Sequence, residues 1–197
     1  MANRFLNGGK PFGKGIAGAE LNEPDLVDFL SAYRRRVAGN YRPLLLDDFG
    51  ALPASGLLVS TKIDGEIWFL VSFQKEVFLT NTRGVVIHGD IPLLAQAKSI
   101  LENTIIAGEL FAHVEGRRCR VGDLGALLAE GGGADVKNLS FAAFDLLRNA
   151  GALVDGPYIQ RYEELNRLII TSGPLSVAQS EEMDRTKLLT KFESEVV

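Results

Sequence analysis

Between residues 56 and 88 three apolar or β-branched runs, "GLLVST", "EIWFLVSF" and "EVFLTNT", are separated only by "KIDG" and "QK", and the third is closed by "RG". Parallel strands need a crossover of about a dozen residues or more, whereas antiparallel neighbours are joined by tight turns. The connectors therefore predict an antiparallel meander. Within it, "LLVSTKIDGEIWFL" sets Lys62, Asp64 and Gly65 between two stretches of core residues. Lysine is among the residues least often buried without a partner, and glycine inside a strand often marks a close backbone approach. Either the strand pair turns here, or the lysine is placed for chemistry.

The flanking pattern is mixed. "EPDLVDFLSAYRRRVAG" (23–39) reads as a helix, with Pro24 in its first turn, acids early, arginines late and Gly39 as its stop. Residues 91–103 read as a second helix, 104–114 and 117–121 as strands around a Glu115-Gly116 turn, and "GDLGALLAEGGG" as a short helix ended by glycines. "LSFAAFDLLRN" (139–149) has the apolar content and length of a strand; 158–170 reads as a helix, "PLSVAQ" as a strand, and a last helix opens at Ser180. With β-rich blocks, interspersed helices and no regular βαβ alternation, the expected class is α+β, mainly antiparallel β-sheets flanked by helices. Residues 1–20, glycine-rich and aperiodic, read as a flexible lead, with the domain proper at 21–197.

Composition narrows the function classes. The chain has 197 residues, 46% of them hydrophobic, which is enough to bury a core. No apolar run approaches the ~18 residues of a membrane helix, and the N-terminus lacks the apolar centre of a signal peptide. Cys119 is the single cysteine, so no intrachain disulfide forms. A cytoplasmic monomer with no membrane partner is expected. A net charge of −4 leaves no basic footprint, and Arg34-Arg35-Arg36 alone reads as a solvated helix face.

Most usual reactive groups are poorly supported. His88 and His113 have no Cys or His at ligand spacing, Cys119 reads as a small buried apolar group, Gly131-Gly132-Gly133 lacks a phosphate-loop frame, and no G-x-S-x-G occurs. Lys62 remains. An amine attacks only when deprotonated, a form favoured by desolvation and by neighbouring cations. An apolar strand pair predicts desolvation. Asp64, two residues on, shares the side of Lys62 in a strand, where it can orient the amine or help hold a metal, and Gly65 lets a ligand reach the backbone.

Downstream, acids, a cation and an aromatic interrupt successive apolar strands: Arg83 in "NTRG", Glu109 in "AGELF", Phe144 in "FDLL". The order "TKIDGE", "NTRG", "AGELF", "FDLL" resembles the nucleotidyltransferase (adenylation) domain of ATP-dependent DNA ligases, with its K-x-D-G, S-R-x-G, D-G-E-[LF] and F-D-[LIV]-[LI] motifs. "RPLLL" at 42–46 and the helix "PYIQRYEELNRLI" are similar to segments before and after them, so the resemblance covers about residues 42 to 197. It implies the covalent nucleotidyltransferase fold. Lys62 would attack the α-phosphate of ATP and hold AMP as a phosphoramidate, with Asp64 orienting it. Arg83 would contact the nucleotide, Glu109 the ribose or the water shell of Mg²⁺, and Phe144 the adenine ring, with Ser60 and Thr61 bordering the nucleotide. Asp64 and Glu109 would be the metal-side acids. The adenylate would pass to a 5′-phosphate in nicked duplex DNA.

The chain also departs from that pattern. Ser60 stands where the family usually has Glu, Ile67 where it often has Arg, and Ala107 at the Asp of D-G-E. Neither E-G-[LIV]-V-x-[KR] nor K-x-K occurs. The resemblance thus implies a partial adenylation domain, incomplete at the C-terminus, and a weak enzyme. An RNA ligase of the same superfamily, a GTP-using capping enzyme and a non-catalytic nucleotide-binding module stay open as alternatives.

Overall fold

The computed structural model describes residues 4–6, 8–38, 40–100, 102–170 and 173–195. Gly39, the expected helix stop, lies outside them. In chain order the strands and helices are β1 (Phe5–Leu6), β2 (Lys10–Phe12), β3 (Lys14–Leu21), α1 (Pro24–Ala38), β4 (Leu57–Ser60), β5 (Glu66–Phe73), β6 (Glu76–Thr80), β7 (Val85–Asp90), α2 (Pro92–Gln96), β8 (Thr104–Ala112), α3 (Val121–Ala129), β9 (Leu139–Asn149), β10 (Ala152–Leu153), α4 (Tyr158–Leu168), β11 (Leu175–Val177), β12 (Ser180–Met183) and α5 (Arg185–Glu195). Short 3-10 turns fill several connections.

The large sheet runs β1-β3-β7-β6-β5-β8-β9-β10, with β2 on β3 and β11 parallel to β9; every other pair is antiparallel. The expected class, α+β with mainly antiparallel sheets, is what the chain adopts. β5 is apolar almost throughout because both its faces are covered. Trp68 and Leu70 face a core completed by Leu93 and Leu94 of α2, Leu124 of α3 and Leu165 of α4. Phe69 and Val71 face a second core, roofed by Leu30 and Tyr33 of α1. Alternate residues of a strand point to opposite faces, so one strand feeds two cores. Among the described residues, no helix is long and apolar enough to cross a membrane.

Four expectations are corrected. The N-terminal segment is no flexible lead over its described residues: β3 pairs along β7, and Gly9 and Gly15 stand where a Cβ would clash. A Cβ at Gly15 would meet the His88 carbonyl oxygen at 2.5 Å. β4 does not join the meander, which is β5–β6–β7; it leaves to pair with β12, from Ser60↔Ser180 to Leu57↔Met183. That pairing also takes residues 180–183 out of the last helix. The helix starts instead after Asp184, whose carboxylate accepts the Lys187 N–H at 2.7 Å, as an N-cap does. Residues 117–121 form no strand. Asp123 takes the Arg117 guanidinium at 2.6 Å and the Arg120 N–H at 2.7 Å, and this fixes the start of α3 at Val121.

Candidate active site

Residues 61–64 carry the chain from the small sheet to the large one. Gly65 stands at the join, where a Cβ would meet the Leu110 carbonyl oxygen at 2.3 Å and Phe111 Cβ at 2.9 Å. Lacking a side chain, it lets the backbone run hard against β8, and its N–H donates to Glu109 Oε1 at 3.1 Å. Lys62 Nζ donates to Asp64 Oδ1. Arg118 approaches Asp64 from the other side, with Nε 3.6 Å from Oδ2, and its Nη2 donates to the Lys62 carbonyl oxygen. The structure thus gathers Lys62, Asp64 and Glu109 around Gly65 and adds Arg118.

The desolvation expected of Lys62 is absent. Its side chain is 78% exposed: β4 pairs with β12, and among the described residues no strand pairs with 61–64. The neighbouring cation is present instead, as Arg118. Asp64 is held below the ordinary carboxylate range, first by the Lys62 hydrogen bond and then by the two positive charges. Glu109, half-buried, is pushed upward by burial, against the Gly65 N–H and the Lys62 charge and with the help of Asp64 and Glu66. Ser60 and Thr61 are exposed beside them, Ser60 paired with Ser180.

Phe144 occupies an irregularity. Ala107 pairs with Asp145 and Gly108 with Ala143, so Phe144 is the extra residue of a β-bulge in β9. It packs, half-buried, on the α1-roofed core, the face to which Ile67, the partner of Glu109, also belongs. Asp145 clamps the bulge: it accepts from Tyr33 Oη at 2.9 Å, Arg161 Nε at 2.7 Å and the Leu146 N–H at 2.9 Å. Burial first, then Asp145, pushes the Tyr33 phenol up, so it stays a donor. The phenol of Tyr41 is likewise raised, by partial burial and then by the Glu109 and Asp145 carboxylates. Arg83 instead lines a groove against α1, in a turn where Asn81 Oδ1 accepts its N–H at 2.9 Å.

Sequence reading missed Arg118, hidden in a segment read as a strand, and Tyr41, just before the "RPLLL" stretch. It quoted Asp145 and the arginine-bearing helix without pairing them. Among the described residues no group of three or more His, Cys, Asp and Glu side chains gathers as a metal cage. Two carboxylates near an exposed lysine do fit Mg²⁺, which keeps several waters and is shared with substrate phosphates.

No protein-family model matches the chain, and no curated protein matches it. Its fold is similar to that of DNA ligase domains among solved structures. One is a mycobacterial DNA ligase D complexed with ATP and MES, at 17% identity and a TM-score of 0.46, covering 70% of this chain and 44% of that one. Another is the ligase domain of LigD from M. tuberculosis, at 18% and 0.49, covering 68% and 43%. A third comes from the Lig E DNA ligases, described as DNA binding with a minimal scaffold, at 17% and 0.49, covering 75% and 53%. The chain spans about half the length of these proteins. A likeness at such identity concerns backbone architecture and says nothing of which side chains act.

Proposed function

We propose that this chain is a nucleotidyltransferase of the ATP-dependent DNA ligase kind, which takes AMP from ATP onto Lys62 and passes it to a 5′-phosphate at a nick in duplex DNA. The observation that carries this reading is the exposed Lys62 Nζ held by Asp64, with Glu109 fixed beside it through Gly65. The exposed Lys62 ammonium gives up a proton to solvent, the freed Nζ lone pair forms the bond to the α-phosphorus, pyrophosphate leaves with the electrons of the broken P–O bond, and the nitrogen sheds a second proton to solvent. Asp64 orients the amine and accepts its proton's hydrogen bond. Arg118 shares that carboxylate, so Asp64 keeps a cationic partner as Lys62 loses its charge. Mg²⁺, held by Asp64 and Glu109, would neutralise phosphate charge. Phe144 offers an aromatic face to adenine, where stacking gives affinity without reading base edges. Glu109 takes the ribose and Ser60 and Thr61 border the nucleotide, whereas Arg83, in the groove against α1, is left out of the nucleotide contacts.

The test is transfer to DNA. With ATP, Mg²⁺ and a 5′-labelled nicked duplex, the wild-type chain is expected to form a 5′-adenylated strand and the Lys62→Ala chain none. Labelling of nicked RNA with no labelling of nicked DNA would replace the DNA-ligase reading by an RNA-ligase one.

A further inference from the structure

One feature outside the Lys62 group stands out by its charge. Arg34 and Arg35 of α1 and Arg83 of the β6–β7 turn line one groove of about 380 Å³, with the hydroxyl residues Ser31 and Thr82 between them. The three arginines come from segments 48 residues apart, so the groove is made by folding and not by an arginine run alone. Among the described residues none of the three makes an ion pair, and no acid lines the groove. In a chain with 25 acidic and 21 basic side chains, such a groove departs from the mixed charge of an ordinary solvated face.

The groove is also preformed. Ser31 Oγ donates to the Thr82 carbonyl oxygen at 2.8 Å, and Arg34 Nη1 reaches Thr82 Oγ1 at 3.4 Å. The turn itself is fixed by Asn81, whose Oδ1 accepts the N–H groups of Arg83 at 2.9 Å and Val85 at 3.1 Å. Guanidinium forks match phosphate oxygens in a way that isolated ammonium groups do not, and the Thr82 hydroxyl adds a neutral donor.

Its position gives it a partner. α1 packs on the same face of the sheet as Phe69 and Ala107, and Glu109, two residues beyond Ala107, points to that face. Thr80 pairs with Phe69, so the turn that follows Thr80 lies toward the Glu66 end of β5, the end that Lys62 precedes. Groove and lysine therefore share a face and an end of the sheet. α1 precedes the stretch that resembles a ligase.

We infer that the α1 groove is a phosphodiester-binding surface, with Arg34 and Arg35 holding the backbone of a nucleic-acid strand that reaches the Lys62 site. The identity of the strand as the acceptor of AMP rests on the proposed function; the arginine dependence does not. Each phosphate neutralised by a cation releases counterions, so the salt dependence counts contacts.

The experiment is anisotropy of a fluorescein-labelled nicked duplex, without ATP, over a salt series, comparing the wild-type chain with Arg34→Ala/Arg35→Ala and with the charge-reversed Arg34→Glu/Arg35→Glu. Both arginines are exposed, and equal thermal midpoints check that the variants fold. The double alanine variant is expected to bind about tenfold more weakly, with a slope of log K against log salt shallower by about 2, and charge reversal more weakly still. Lys62 adenylation, read by mass on separate aliquots of the same three proteins given ATP and Mg²⁺, is expected to be unchanged. Equal affinity and slope in all three proteins would overturn the inference. So would loss of adenylation with DNA binding intact, since the anion would then belong to the nucleotide. Arginine-dependent binding by a chain that never adenylates Lys62 would strike the proposed reaction and leave the groove standing.

Discussion

Lys62 shares Asp64 with Arg118, and this sharing sets what single substitutions do. Arg118→Ala leaves Asp64 with one cationic partner, so the amine stays paired; a slower adenylation at unchanged stability is expected, measured by single-turnover labelling. Glu109 tests the electrostatics of the face. Its folded-state carboxyl is raised by burial, so the native state prefers it protonated. A raised acid contributes most below its unfolded range and loses that contribution as pH rises through the folded value. Glu109→Gln keeps an acceptor for the Gly65 N–H and removes the titration. Its thermal midpoint is expected to gain on wild type from pH 4 upward and then level off; a constant difference across pH would refute the cause. Asp123 behaves oppositely. Arg117 and the Arg120 N–H hold it at about 2. Its contribution is present above the ordinary carboxylate range and lost as pH falls toward 2. Asp123→Asn is expected to flatten the acid limb of a stability curve between pH 4 and 2.

The element that places Lys62 is the join between β4 and β5. Gly65→Ala would drive a Cβ into the Leu110 carbonyl oxygen. A loss of about 1–3 kcal/mol is expected from denaturant unfolding, with adenylation falling further than stability explains, because the Glu109 contact shifts. Much at this scale was legible from sequence. The meander, β8, β9 and α4 followed from apolar period and short connectors. The partner of β4 was not, because nothing local distinguishes pairing with the next strand from pairing with residues 180–183. That long-range choice decided two things at once, the late start of α5 and the exposure of Lys62. The departures at Ile67 and Ala107 acquire a packing context. Ile67 packs on the α1-roofed core, and Ala107 is fully buried opposite Asp145, where a second carboxylate would be buried beside the first.

Across the whole molecule, β3 extends the sheet beside β7 and adds Ala19 and Leu21 to the face that α1 covers, with Phe78, Val86 and Leu147. Gly9 and Gly15, among the glycines that suggested a loose lead, instead allow backbone approach, a distinction that composition cannot make. Deleting residues 1–21 is expected to uncover β7 and to lower the thermal midpoint and soluble yield; an unchanged midpoint would restore the flexible-lead reading. The motif order pointed to the Lys62–Asp64–Glu109 group, whereas Arg118 and the α1 groove emerged only once distant segments were brought together. Everything proposed for this chain's chemistry rests on Lys62 as a nucleophile, and intact mass spectrometry reads that role directly. After incubation with excess ATP and Mg²⁺, the wild-type chain should gain the mass of one AMP, and the Lys62→Ala chain should not. A stoichiometric gain registers even if the reaction is slow. No gain on wild type, or a gain that survives Lys62→Ala, would contradict the account.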